Sequence, residues 1–233
     1  MEHTLLNYIE LLSKNPGLIS NKNALIKIII NETKIKIWEV ETKDKLITAG
    51  QPPEWAKIGL VYSDPYIIIL RDLVEFPGGR IGSYFRLINQ ADLQGGQGVV
   101  ILASMNNKYL LLRQYRHPIR SWSFEVPRGF GEPGTSAEEQ AQTEIREEVE
   151  GEISKLFDLG IYFNNTGLEG NKVKLFFAKL ASIGRPAKEE GIESLYWVSL
   201  KELEDMIANA QITDGFTIAA YTRAKLRGLL DTN

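Results

Sequence analysis

The stretch "EVPRGFGEPGTSAEEQAQTEIREEVEG", residues 125 to 151, constrains this chain more than any other. It leaves a short strand, crosses a loop with glycines at 129, 131 and 134, and enters a helix crowded with glutamates. Ser136 followed by Glu139 is a capping box, which sets the helix start at Ala137. Gly151 suits the left-handed position just past its end. At about 100° per residue, Ala137, Ala141, Ile145 and Val149 form one apolar stripe. Glu144, Glu147 and Glu148 fall in an arc beside it, flanking the buried face. Glu138, Glu139, Glu150 and Glu152 read as capping or solvated charge.

Like charges one turn apart repel by roughly a few tenths of a kcal/mol per pair. A solvated face tolerates that cost. A site for a hard divalent cation such as Mg²⁺ or Mn²⁺ reverses it, because such ions prefer carboxylate oxygens. The loop glycines allow backbone carbonyls to approach the same ion, or a phosphate to lie near backbone. They equally serve a tight strand-to-helix connection.

Composition removes several chemistries. The 233 residues contain no cysteine and two histidines, His3 and His117, so hydrolytic chemistry must run mainly on carboxylates. Absent disulfides and the absence of a basic, apolar leader at the N-terminus fit a cytoplasmic protein. The net charge of −3 carries no basic excess, which disfavours nucleic acid as a partner. Apolar runs such as "LIKIII" and "PYIIIL" are too short to span a bilayer, so no membrane partner is expected.

Hydropathy patterning predicts a helix over 2–14, then strands over "ALIKIII" and "KIKIWEV" joined by a turn-like "NETK". A hairpin turns at Pro77-Gly78-Gly79 and a second at Asn106-Asn107. "WSFEVP" is a short strand; further strands lie near 156–163, 172–180 and over "IESLYWVSL". Helices near 200–209 and 214–230 close the chain. Such an order suggests an α+β or α/β/α layered domain.

With these residues in place, the chain resembles the Nudix hydrolases. Their signature is Gly, any five residues, Glu, any seven residues, Arg-Glu, apolar, any, Glu-Glu, any, Gly, apolar. Gly129 matches its first position, and Glu144, Ile145, Glu147 and Glu148 match its core. Thr135 stands where the first Glu belongs, Thr143 where the Arg belongs, and Glu150 where the last Gly belongs. In the family that Glu and Arg are expected to pair and brace the loop on the helix. Losing both leaves no unpaired buried charge, and two threonines could still hydrogen-bond locally. The late glycine is expected to lengthen the helix by one residue.

The similarity extends over roughly residues 57 to 228. "LLRQYRHPIRSWSFEVPRG" is similar to the ADP-ribose pyrophosphatase branch. The resemblance implies an α+β fold, a Nudix α/β/α sandwich with a mixed β-sheet, preceded by a small N-terminal β-rich region and a helix. It divides the chain into an N-terminal extension (1–55), a β-hairpin region (56–96) and the Nudix domain (97–233). By the same match, Glu144, Glu147, Glu148 and the Gly129 carbonyl would hold Mg²⁺ or Mn²⁺, and Arg116 would contact the substrate diphosphate. The catalytic groups would be Glu148 with Glu190 as base, or Glu189 in its place, on a "RPAKEEG" loop that could close over substrate. An adenine pocket would draw on N-terminal aromatics such as Tyr66 and Phe85, although ordinary core packing is the better explanation of each ring. The implied partner is a nucleotide sugar such as ADP-ribose, cleaved to AMP and a sugar phosphate by a homodimer. The competing reading is a Nudix-fold module that binds a nucleotide without turning it over.

Overall fold

The computed structural model describes residues 5–230, and these divide into two compact units. The first runs to Leu93 and includes Asn165–Gly170. It contains α1 (Leu5–Lys14), β1 (Lys27–Ile28), α2 (Glu32–Thr48), β2 (Gly59–Ser63), β3 (Ile67–Glu75), β4 (Ile81–Asn89) and a one-turn α3 (Gln90–Leu93). Residues 2–4 of the expected first helix lie outside the described residues. Strand β3 is central: β4 runs antiparallel along one edge, and β2 and β1 share the other. Tyr8, Leu12, Ile35, Leu70 and Leu73 form the core of this unit.

Residues 34–40 are helical, contrary to the strand that "KIKIWEV" suggests. The Lys-Ile alternation imitates a strand, but Ile35, Trp38, Thr42 and Leu46 share the inner face at helical spacing. The side chain of Asn31 caps the helix by accepting from the Lys34 backbone N–H at 2.9 Å, so "NETK" is a helix start and not a turn. Of "ALIKIII", the strand takes in only Lys27–Ile28. Nor are Tyr66 and Phe85 core residues; they are 79% and 40% exposed, and the Arg71 guanidinium sits 4.6 Å from the Phe85 ring centroid.

The second unit holds β5 (Gly98–Met105), β6 (Lys108–Arg116), β7 (Ser121–Glu125), β8 (Arg128–Gly129), α4 (Ala137–Val149), β9 (Glu152–Tyr162), β10 (Val173–Ser182), β11 (Ile192–Val198), α5 (Leu200–Ala208) and α6 (Gly215–Leu226). Its sheet runs β11-β6-β5-β10-β9, with β7 on β6 and β8 on β5. The β10–β5 pair is parallel and the others are antiparallel, so the sheet is mixed. Both hairpin turns predicted here and in the first unit are present, and Asn106 and Asn107 adopt the positive φ that a tight turn requires.

Strand alternation builds the three layers. Val99, Ile101 and Ala103 of β5 face one way, with Ala141, Ile145 and Val149 of α4. Val100 and Leu102 face the other way, with Leu203 of α5 and Ala220 and Ala224 of α6. Burial of Ile145 and Val149 alone contributes roughly 1.5–3 kcal/mol each, which seats α4 firmly on the sheet. The fold is an α/β/α sandwich. Among the described residues, no helix is long and apolar enough to cross a membrane.

Candidate active site

Helix α4 starts at the expected residue. The Ser136 hydroxyl accepts from the Glu139 N–H at 3.2 Å, and the Glu139 carboxylate accepts from the Ser136 N–H at 3.0 Å. Its far end differs from expectation. The helix stops at Val149, and Glu150 itself takes the left-handed conformation at φ 49°. That conformation costs a non-glycine residue about 1–2 kcal/mol. Gly151 is instead favoured by close packing, since a Cβ there would lie 3.0 Å from Ile145 Cγ2 and 3.2 Å from the Ser182 carbonyl oxygen. The helix is therefore not lengthened.

The three glutamates of the arc divide. Glu148 and Glu144 are buried, at 3% and 9% exposure, while Glu147 is exposed. Gly129 stands against Glu144: a Cβ on it would fall 1.9 Å from Glu144 Oε1. Gln140 Nε2 donates to the same oxygen at 2.7 Å, and the Arg128 backbone N–H donates to Glu148 Oε2 at 3.0 Å. Burial pushes the Glu148 carboxyl up to about 8, and the charges of Glu144 and Glu190 add to it. Burial likewise raises Glu144, joined by the charges of Glu147, Glu190 and Glu132.

Two buried carboxylates whose charges disfavour each other's ionisation, with no ion pair to either among the described residues, are a hard-oxygen donor set that suits a divalent cation. Gly129 adds a second sign of fit, because its missing side chain leaves room for the Glu144 carboxylate beside the loop backbone. Among the described residues, no three acidic or histidine side chains already enclose one point.

Beside this acidic pair lies a basic one. Arg116 donates to Glu125 Oε2 from Nε at 2.8 Å and Nη2 at 2.5 Å. Arg128 Nη2 donates to the same oxygen at 2.8 Å, and its guanidinium lies 4.8 Å from the Phe216 ring centroid. Two guanidinium groups share one carboxylate, and the Arg128 guanidinium also lies 3.7 Å from Asp214 Oδ1. Burial alone would raise Glu125; the Arg116 hydrogen bond and the charges of Arg128 and Arg116 outweigh it and hold the carboxyl below its ordinary range.

The segment carrying Glu189 and Glu190 is tied down, not loose. Gly184 and Ala187 donate backbone N–H groups to the Val149 and Glu148 carbonyls, each at 2.9 Å. Gln114 Nε2 donates to the Glu190 carbonyl at 2.9 Å. The other side-chain atom of this buried residue, Gln114 Oε1, has no partner. Both glutamates are exposed, but only Glu190 adds its charge to both Glu144 and Glu148. Glu189 lines an open cleft of about 530 Å³ with Glu147, Arg185 and Lys188.

The model of the NUDIX domain matches residues 93–216, more than half of the 233. The chain belongs to the Nudix family. It is 22% identical over 173 residues to an ADP-ribose pyrophosphatase of Bacillus subtilis (strain 168), covering 73% of this chain and 91% of that protein. It is 25% identical over 173 residues, with the same coverage, to a methanol dehydrogenase activator of Bacillus methanolicus. A crystal structure of an ADP compounds hydrolase shares the fold, with a TM-score of 0.64 and 19% identity over 74% of this chain and 93% of that one.

Within the Nudix box, the threonines do not replace the Glu–Arg brace. Thr135 and Thr143 are half-buried, and a bond from the loop to the helix is made by Gln140, whose Oε1 accepts from the Glu132 backbone N–H at 3.3 Å. The sequence reading missed Gln140, Glu125, Arg128 and Gln114. Gln140 was within reach, since it lies one turn before Glu144. Glu125 was not, because its meeting with Arg116 depends on the pairing of β6 with β7.

Proposed function

We propose that this Nudix protein is a divalent-metal-dependent hydrolase of a nucleoside diphosphate linked to a second group, with ADP-ribose or a related nucleotide sugar as substrate. The observation that carries the reading is the adjacency of opposite charges on one short segment. Arg128 presents its backbone N–H to Glu148 and its guanidinium to Glu125, which also holds Arg116. Glu144, Glu147, Glu148 and the Gly129 carbonyl would hold Mg²⁺ or Mn²⁺. When bound, the ion would neutralise the diphosphate and lower the cost of deprotonating the attacking water.

The chain's own groups do the rest. Arg116 uses only part of its donor fork on Glu125 and would turn the remainder to a phosphate oxygen. Arg128, on the same carboxylate, adds positive charge where the diphosphate gathers negative charge. Glu190 would take the proton from water as general base, with Glu189 second. The ADP-ribose pyrophosphatase of B. subtilis supports the substrate choice, and AMP and ribose 5-phosphate would be the products. The working form would be a cytoplasmic homodimer.

A second reading has its own support. Thr135 and Thr143 break the family's box, and one relative is named as a methanol dehydrogenase activator. On this reading the chain binds a nucleotide and acts through a protein partner without rapid turnover.

The deciding experiment incubates purified protein with ADP-ribose and related nucleotide sugars plus Mg²⁺ or Mn²⁺, and separates products by ion exchange. AMP release that stops with chelator and in Glu148→Gln supports the hydrolase. No product from any compound, with nucleotide binding detected by calorimetry, overturns it in favour of the second reading.

A further inference from the structure

We propose, on the basis of the metal-binding reading above, that Gln140 is a positioning residue that braces the glycine-rich loop and aims the Glu144 carboxylate. Gln140 lies inside α4, only 3% exposed, and both ends of its amide face a defined partner. Its oxygen accepts from the Glu132 N–H of the loop at 3.3 Å, and its nitrogen donates to Glu144 Oε1 at 2.7 Å. The partners settle which end is which: a backbone N–H can only donate and an ionised carboxylate only accept. A carboxamide is the one neutral side chain of this length that does both. A threonine hydroxyl could not span the distance, and a glutamate would set two carboxylates against each other.

The Glu144 carboxylate is thus held from two sides. Gly129 leaves the space it occupies, and Gln140 fixes its rotation within that space. In the family pattern, a Glu and an Arg brace the loop where this chain has Thr135 and Thr143. Here one side chain on the helix both anchors the loop and orients the acidic group. The altered box therefore keeps a working brace of different chemistry.

The test is Gln140→Met, which keeps length and volume but removes both hydrogen bonds, with Gln140→Asn as a second variant that keeps the amide but is one methylene too short. Two quantities are read on each full-length protein: Mn²⁺ affinity by titration without nucleotide, and amide hydrogen exchange at Glu132. Glu139→Ala, which loses the helix cap, serves as a control for lowered stability. Outer-sphere partners of metal ligands typically cost about 10–100-fold in affinity when removed, and that loss is expected in both Gln140 variants, with faster exchange at Glu132. The control should lower Tm and leave Mn²⁺ affinity unchanged. Mn²⁺ affinity at the wild-type level in Gln140→Met, or unchanged exchange at Glu132, overturns the proposal while leaving the metal site standing. If the wild-type protein binds no Mn²⁺, the metal reading itself fails and the role of Gln140 falls with it.

Discussion

Gly129 and Glu144 share one space: a single methyl carbon on the glycine would sit 1.9 Å from the carboxylate oxygen and 2.0 Å from its carbon. Backbone and carboxylate come that close because β8 pairs with β5 while α4 packs its apolar stripe over the same strand. Gly129→Ala must therefore push Glu144 aside. The overpacking should cost about 1–3 kcal/mol in thermal unfolding and remove most Mn²⁺ binding. Unchanged Mn²⁺ affinity in a folded Gly129→Ala protein would show that Glu144 is not a ligand.

Glu148 makes the metal-free protein sensitive to pH. Its carboxyl is pushed up to about 8, chiefly by burial and then by the charge of Glu144, while in the unfolded chain it titrates at about 4.3. Below that value both states are protonated and the contribution is complete. Between there and about 8 the folded state keeps a proton that the unfolded chain has released. Stability should fall with rising pH across this window, by up to about 1.4 kcal/mol per pH unit. Urea titrations with chelator present, at several pH values, should show that slope flatten in Glu148→Gln. An identical slope in the variant would place the Glu148 titration elsewhere.

Glu125 works in the opposite direction. Two arginines hold it ionised despite its burial, so its contribution is present at neutral pH and is lost as pH falls through its lowered value. Glu125→Ala strands Arg116 and leaves Arg128 with Asp214 alone at 3.7 Å, and should cost about 3 kcal/mol in urea unfolding. Arg116→Lys keeps the charge but loses the fork. It should raise KM for the nucleotide sugar by the equivalent of about 1.5–3 kcal/mol. A KM equal to wild type would remove Arg116 from the diphosphate site.

Glu190 and Glu189 are neighbours with different reach. The charge of Glu190 acts on both buried glutamates of α4, and its carbonyl is held by Gln114. Glu190→Gln should lower kcat by about 10²–10⁴-fold, as loss of a general base does, and Glu189→Gln should leave it within about twofold. Both are exposed, so Tm should hold in each. The reverse ranking in steady-state rates would transfer the role to Glu189.

The parts of this protein set by neighbours along the chain were legible in its sequence. The capping box at Ser136 and Glu139, the apolar stripe of α4, the hairpin at Asn106-Asn107 and the family box are all local patterns, because backbone geometry repeats over one turn or two residues. Helix α2 reads as a strand for the same reason: Lys34–Ile37 carries a strand's alternation over four residues, while the Asn31 cap and the packing of Ile35 and Trp38 on the core of the first unit select the helix. The arc of Glu144, Glu147 and Glu148 was legible as a helix face, but not that two of the three are buried. The bond of Arg116 to Glu125, the sharing of Glu125 with Arg128, and the anchoring of Glu190 by Gln114 join residues from separate strands and loops. Those meetings depend on strand register and on how far each helix sinks into the sheet. They are set by the packing of the whole core, a sum over many weak contacts that no short window of sequence contains.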